Sequence, residues 1–536
     1  MTNYQFTGGT ICAPATIPGT GAISIIRVSG KKSLAIADKV IDTKGVPIAE
    51  TEGYRLRYGT VFEADGSVLD NVIVSVFRAP HSYTGENSVE ISCHASRFIV
   101  NKILELLVNA GARIAAPGEF TRRAFVNGKM DLAQAEAVAD VIASQSAASH
   151  RVAMNQLKGG FSSELKVLRE KLLTMTSLLE LELDFSEEDV EFASRNELGQ
   201  LVDDSLTHIG RLTASFSRGN AIKNGVPVAI VGATNTGKST LLNALLGEER
   251  AIVSDIAGTT RDTIEETLNI DGILFRFIDT AGIRETDETI EKIGIDRTFK
   301  KLGEAAVVLG MTDLSRGEAA VLEDADFILS KVNEMGGVKN VAAVNDGAET
   351  GGTSRSETGG ASRHGHGDGQ ERKVVILVNK CDVAGDFYRD DNGTGDGSGN
   401  DLGENMAEIG GNKNVNHDNN IVSLIENKYD NCKVIPISAK TGKGLSTLTK
   451  TLGEIGSEIT GSTDETLVTN VRHYEALVRA ASALERVRAG LHIATLPPDL
   501  IAQDLREALY HLGEIVGEIT TDETLGNIFR NFCIGK

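Results

Sequence analysis

Cysteine is scarce in this chain. Five thiols stand in 536 residues, at Cys12, Cys93, Cys381, Cys432 and Cys533, and no two form a CxxC pair. An odd, scattered set excludes a disulfide scaffold and a structural zinc site as organising principles. Long apolar runs are missing too. The longest, such as Val226–Val231 and Val374–Val378, suit buried strands and not a membrane span. The opening Met-Thr-Asn-Tyr-Gln-Phe has neither a basic n-region nor an apolar h-region, so the expectation is a cytoplasmic protein without a secretory signal or a membrane partner. Positive charge is in deficit: 54 Lys and Arg face 75 Asp and Glu, a net charge of −21. That balance argues against coating nucleic acid by bulk electrostatics and leaves local basic contacts open.

With 41% hydrophobic and 24% charged residues the chain can fold, and its length calls for about three units. Residues 1–128 carry short apolar or alternating runs, Ala22–Val28 and Val72–Phe77 among them, around a helical stretch Arg97–Val108. They read as a compact α+β domain. From 129 to 222 the period turns helical: Ala133–Leu157 is helix-like, and Leu165, Leu168, Leu172, Leu179 and Leu183 share one helix face. The acidic run after Phe185 reads as a solvated turn. Residues 457–536 return to helices, Glu465–Ala494 and Pro498–Ile519, separated by Pro497-Pro498. Between these blocks, 223–456 alternates strand and helix, so an α/β domain is inserted into a helical one. Two stretches inside it, about 336–370 and 385–420, are dominated by Gly, Asp, Asn and Ser; they read as surface insertions, and their His364 and His366 as incidental.

The chemistry concentrates in the inserted domain. A strand, Val228–Val231, runs into Gly232-Ala-Thr-Asn-Thr-Gly-Lys238-Ser239 and then a helix-like Thr240–Leu246, which is GxxxxGKS in its strand–loop–helix setting. Backbone amides would curl round the β-phosphate, Lys238 would face the β/γ oxygens and Ser239 would suit Mg²⁺. Asn379-Lys380-Cys381-Asp382 follows a buried strand, and Asp382 can accept from both N1–H and the N2 amine of guanine, which adenine lacks. Ser438-Ala439-Lys440 can add an amide to guanine O6. Asp279-Thr280-Ala281-Gly282 follows Leu274–Ile278, and Gly258-Thr259-Thr260-Arg-Asp lies before it, with Thr260 a second Mg²⁺ candidate. Together, in their order along the chain, these motifs define a guanine-nucleotide switch. The expected GTP-binding set is Asn235, Thr236, Gly237, Lys238, Ser239 and Thr240; Ser254, Asp255, Ile256, Ala257, Gly258, Thr259 and Thr260; the 279–282 motif; and Asn379, Lys380, Asp382, Ser438, Ala439 and Lys440.

Ile283 occupies the place after DTAG where a water-orienting Gln is common, and an apolar side chain cannot orient water. Hydrolysis also needs positive charge near the β- and γ-phosphates. The Asn235 amide and the carbonyl- and hydroxyl-rich loop Ala251–Thr260 offer a hard oxygen cage for a monovalent cation that would supply it.

On these motifs, and on the stretches ATIPGTGAISIIRVSG, APHSYTGENSVEISCH, PGEFTRRAFVNGKMDLAQAEAVADVI, AIVSDIAGTTRD, DTAGIRETDETIEKIGI and the terminal FCIGK, the chain resembles the MnmE (TrmE) tRNA-modification GTPase family along nearly its whole length. The implied fold class is α+β multidomain: an N-terminal folate-binding-like α/β dimerisation domain, a helical domain and an inserted Ras-like α/β P-loop GTPase domain. The resemblance implies K⁺ held by Asn235, Ser254, Ile256 and Thr259, Mg²⁺ by Ser239 and Thr260, and Glu291 in the catalytic role, positioning the attacking water. It implies a reduced folate (5,10-methylene- or 5-formyl-tetrahydrofolate) at Arg27, Glu90, Lys129 and Lys536. Cys533 reads as a buried apolar residue, with a role near the folate chemistry, suggested by the family's FCIGK ending, as the alternative. It also implies a homodimer, an FAD-dependent partner, MnmG, in a heterotetramer or larger complex, and tRNA whose wobble uridine is modified at carbon 5. The departures from the family pattern, Thr234 and Thr236 in the phosphate loop, remove no needed donor. The alternative from another class is an Era-like regulatory GTPase without a modification role.

Overall fold

The computed structural model describes residues 8–184, 194–249, 266–278, 305–334, 372–383, 420–429, 432–461, 465–493, 497–530, 532 and 535. Contacts divide the chain into two compact units: 1–144 with 149–217 and 463–536, and 145–148 with 218–462. The domain edges expected at 222/223 and 456/457 fall inside two helices, Phe216–Asn224 and Leu445–Thr460. The second helix continues past 456 because Gly456 lies flush against Phe275 and Leu448 and Leu452 lie in the core.

In the first unit, seven strands form one sheet: β1 Ile11–Pro14, β2 Ile23–Ser29, β3 Ile41–Asp42, β4 Arg55–Phe62, β5 Val68–Phe77, β6 Ser88–His94 and β7 Arg113–Ile114. Their order is β3-β4-β5-β6-β2-β1-β7, antiparallel except for the parallel β1–β7 pair. Alternation decides which face is buried. Val72, Val74 and Val76 point into a core shared with Ile26, Val28, Val89 and Ile91, where Leu34, Ile103 and Leu107 of helices Ser33–Val40 and Arg97–Asn109 also pack. Ile73, between two of those valines, is exposed.

The helices of this unit form around a second core. Leu165, Leu168, Leu172 and Leu179 of Gly160–Asp184 meet Leu198, Val202 and Ile209 of Arg195–Ala214, Leu477 and Leu484 of Val471–Leu491, and Leu505 and Leu512 of Pro498–Val516. Each fully buried leucine contributes about 2 kcal/mol before packing terms. Three expectations needed correction. The continuous helix over Ala133–Leu157 is two, Leu132–Ala143 and Ala147–Leu157, because Ser144 turns extended and its hydroxyl donates to the Val141 carbonyl. The helix expected from Glu465 starts only at Val471. Residues before it bond elsewhere: the Val468 amide donates to Ser215 Oγ and the Leu467 carbonyl accepts from Gln156 Nε2, leaving Asn470 to cap the helix by accepting from the Arg472 amide. The helix expected to run to Ile519 stops at Val516, where Gly517 takes φ 84°.

The second unit has β8 Val226–Gly232, β9 Glu266–Ile270, β10 Ile273–Ile278, β11 Val307–Asp313, β12 Lys373–Asn379 and β13 Lys433–Pro436. The order is β13-β12-β11-β8-β10-β9, parallel except for the β9 edge. Both faces are covered, which is why these strands read as unbroken apolar runs: Val228 and Ile230 join one core, Ala229 and Val231 the other. Since β8 pairs with β10 on one side and β11 on the other, the chain reverses direction across the sheet at the carboxyl end of β8. Ligands of open α/β sheets bind at that switch point.

One buried ionic cluster fixes the first unit. Glu136 accepts from Arg472 Nε at 2.9 Å and Asn470 Nδ2 at 3.0 Å, and pairs with His473 Nε2 at 2.7 Å, while Arg472 also donates to the carbonyls of Glu514 and Ile515. Desolvation alone would raise the Glu136 pKa, but His473 and Arg472 outweigh it and bring it from 4.5 to about 2. The folded value lies below the unfolded one, so this stabilisation is fully present above about pH 4.5 and is lost as pH falls towards 2. Glu136→Gln is expected to cost about 3 kcal/mol at pH 7. In urea titrations its gap from the unmodified chain should narrow between pH 5 and pH 3, and a gap constant over that range would refute the assignment.

Candidate functional site

The loop at the switch point is shaped by two glycines. At Gly232 (φ 156°) a Cβ would collide with the Met311 carbonyl oxygen, and at Gly237 (φ 99°) with Asn379 Nδ2. Only glycine lets the backbone pass this close at these angles. Asn235 takes the left-handed region at φ 62° and is exposed at the tip. Helix Lys238–Glu249 starts directly after the loop, with Ser239 half-buried and Thr240 exposed in its first turn. Its amides face the loop's hollow, an arrangement that favours anions. Lys238 Nζ donates to the carbonyls of Gly232 (2.9 Å) and Ala233 (2.7 Å), and burial holds its pKa below the ordinary lysine value. Thr236, fully buried, donates its hydroxyl to the Ala233 carbonyl.

Asn379 connects this loop to the next. Its Nδ2 donates to the Thr236 carbonyl at 2.7 Å, and its Oδ1 accepts from the Ala439 amide at 3.0 Å. Ser438 Oγ donates to Asp382 Oδ1 at 2.7 Å and itself accepts from the Thr441 amide. The Ser438 hydroxyl holds the exposed Asp382 carboxyl below the usual carboxylate range. Lys380, at φ 66°, sends Nζ to Asp313 Oδ2 at 2.6 Å, while Lys440 is exposed. The structure thus brings together Asn235, Thr236, Gly237, Lys238, Ser239, Thr240, Asn379, Lys380, Asp382, Ser438, Ala439 and Lys440. Ser254, Asp255, Ile256, Ala257, Gly258, Thr259, Thr260, Asp279, Thr280, Ala281, Gly282 and Glu291 lie outside the described residues. Asp313 was missed by sequence reasoning. Its only local signal is an acid at the end of a buried strand, Val307–Asp313.

A second polar site lies on the first unit's sheet. Arg27 on β2 stands opposite Glu90 on β6, with Nε 2.9 Å from Glu90 Oε1. Its guanidinium lies over the rings of Tyr83 (5.0 Å) and Phe120 (5.6 Å), and its buried NH1 has no hydrogen-bond partner among the described residues. Such an orphan donor fits a polar ligand group. Lys129 Nζ reaches the Pro80 carbonyl at 3.1 Å and is exposed. Gly535 is packed so tightly on Pro14 and Ala15 that a Cβ would overlap the Pro14 carbonyl, which anchors the end of the chain beside β1. Lys536 and Cys533 lie outside the described residues. Helix Asp522–Arg530, which sequence periodicity did not separate, precedes this tail and packs its Leu525 and Phe529 against Leu132 and Ala135.

Fold and loop together define a P-loop nucleoside-triphosphate hydrolase of the Ras-like class, carried by a helical and sheet-containing body. Residues 10–129 match the family described as GTP-binding protein TrmE N-terminus, and 132–533 match the MnmE helical domain. Relatives named tRNA modification GTPase MnmE include those of Parabacteroides distasonis (46% identical, covering 98% of this chain and 100% of that protein) and Porphyromonas gingivalis (44%, 99% and 99%). A third, from Flavobacterium johnsoniae, is 44% identical over 98% of this chain and 99% of its own. The chain belongs to the MnmE family of tRNA modification GTPases. It is a GTP hydrolase of tRNA modification.

Replacing Asn379 by Ala removes both of its bonds and leaves the Ala439 amide buried without its partner. Each such loss costs about 1–3 kcal/mol. Guanine-nucleotide affinity, measured by isothermal titration, is expected to fall at least about tenfold; an affinity within twofold would show that the two loops are held independently.

Proposed function

We propose that the chain is a K⁺-dependent GTPase that, with an FAD-dependent partner of the MnmG kind and a reduced-folate one-carbon donor, modifies carbon 5 of the wobble uridine of certain tRNAs. The observation that carries the reading is the preassembled nucleotide site: one side chain, Asn379, bonds both the phosphate loop and the loop that would meet the base. Asp382 would accept from guanine N1–H and N2, and the Ala439 amide would lie near O6. Ser239 with Thr260 would hold Mg²⁺; Asn235 with Ser254, Ile256 and Thr259 would hold K⁺. Bound there, the monovalent ion would supply the positive charge that an arginine provides in other phosphoryl-transfer sites. Lys238 would exchange its two carbonyl partners for phosphate oxygens, and Glu291 would position the attacking water.

The folate half rests on Arg27. Its orphan NH1, the Glu90 carboxylate beside it and the Tyr83 and Phe120 rings together offer charge, a hydrogen-bond acceptor and flat apolar walls, a set suited to a pterin with an acidic tail. Lys129 and Lys536 would add cations. The same sheet face supports a homodimer. By register, Arg27, Glu90, Ser75 and Leu56 form one row and Ile25, Ser92, Ile73 and Tyr58 the next. Leu56, Tyr58 and Ile73 are 65%, 66% and 47% exposed there, more apolar surface than a lone sheet face normally leaves to water.

GTP turnover of the full chain should be at least tenfold faster in potassium than in sodium at equal ionic strength, as expected if roughly 1.4 kcal/mol or more of barrier lowering comes from the ion. Asn235→Ala should erase the difference. Equal rates in both salts would remove the cation from the reading. Independently, equilibrium dialysis should show reduced folate bound by the unmodified chain and at least about tenfold weaker binding by Arg27→Ala; unchanged binding would remove Arg27 from the pocket.

A further inference from the structure

Asp313 ends β11, directly opposite Asn379 in the parallel β11–β12 pair. It is 5% exposed, and both of its oxygens are engaged. Oδ1 accepts from the Ser315 amide at 3.0 Å and the Ser315 hydroxyl at 2.6 Å, which fixes the turn after the strand. Oδ2 accepts from Lys380 Nζ at 2.6 Å. Lys380 sits in the left-handed region, φ 66°, between Asn379, which bridges the two nucleotide loops, and Asp382, which would read the base. Its side chain is one-third exposed, so the ammonium is anchored while part of the methylene stem remains open. A lysine stem with a tethered head is a flat apolar wall, the kind of surface a purine ring packs against.

We infer that Asp313 is a positioning residue for nucleotide binding: it anchors the Lys380 ammonium and so sets the lysine stem as one wall of the base slot before the nucleotide arrives. The inference rests on the guanine-site reading given above. A free lysine must lose rotamer freedom on binding, whereas a tethered one has lost it already, a difference of about tenfold in affinity. The anchor is separable from the turn. Asp313→Asn retains an oxygen for Ser315 and puts an amide N–H₂ where Lys380 needs an acceptor, so the ion pair goes and the turn stays.

The test is a double-mutant cycle on the full-length chain, with GDP affinity read by isothermal titration and dissociation by release of a fluorescent GDP analogue. Asp313→Asn and Lys380→Met are each expected to weaken GDP about tenfold, with thermal unfolding little changed. The double variant should be no weaker than the poorer single variant by more than about twofold, because both changes remove the same tether. A merely structural role for Asp313 would give losses that multiply, and that result, or an Asp313→Asn affinity within twofold of the unmodified chain, overturns the inference. Asp382→Asn serves as the control on the site itself. An amide there donates to a 2-oxo group, so preference should move from GDP towards xanthosine diphosphate. If it does not move, the guanine reading fails and the inference falls with it. If it moves and the cycle is additive, the site stands and only the anchoring role is lost.

Discussion

The carboxamide of Asn379 has one donor pair and one acceptor, and this protein uses each on a different loop: Thr236 on the phosphate side, Ala439 on the base side. Because the amide is planar, the two loops cannot move apart without breaking a buried bond, and leaving a buried peptide group unpaired costs more than the bond contributes. Gly237 follows from this constraint. The Asn379 amide occupies the space a Cβ would take, so the phosphate loop must have glycine there. Lys238 is the adaptable member of the site. Its ammonium is satisfied by two carbonyls of its own loop, so charge can be handed to an incoming phosphate without a buried cation being stranded.

Much of the second unit was legible in the sequence because its signals are contiguous. A parallel strand covered on both faces needs an unbroken apolar run, and Val374–Val378 and Val226–Val231 supply it. The phosphate loop and the 379–382 and 438–440 motifs follow such strands within a few residues, so finding the strand found the loop. What escaped were contacts between distant residues. Asp313 and Lys380 are 67 positions apart, and nothing local marks Asp313 as their meeting point. The same blindness produced the false helix start at Glu465. Helical periodicity continues through 465–470, but Ser215 and Gln156, each more than 250 residues earlier, capture that backbone first. Tertiary hydrogen bonds overrode propensity, and the cap at Asn470 then decided where the helix begins.

The two sheets answer different physical demands. In the α/β unit both faces are dry and function sits at a strand end, where side chains no longer need to alternate. In the other unit one face is core and the opposite face carries Arg27, Glu90, Tyr58 and Ile73 together. The buried valines of β5 therefore fix which residues are presented on the open face, since a register slip of one residue would exchange Val74 for Ile73 and turn the polar pocket inward. The ion pair Arg27–Glu90 is a cross-strand pair on that face, so its geometry is inherited from the β2–β6 register and not from any loop.

Thiol chemistry illustrates how the same folding forces limit the four cysteines among the described residues. Burial pushes Cys12, Cys93, Cys381 and Cys432 each up to about 11. At neutral pH only about one in ten thousand such groups is a thiolate, the form that attacks carbon. Cys12 and Cys93 belong to the core of the sheet that carries Arg27, facing away from it, and Cys381 gives its Sγ–H to the Val378 carbonyl. None of the four is placed or ionised for nucleophilic work. In the folate reading proposed above, the carbon would come from a bound one-carbon carrier, and the protein's part would be to orient that carrier through Arg27 and the aromatic rings around it.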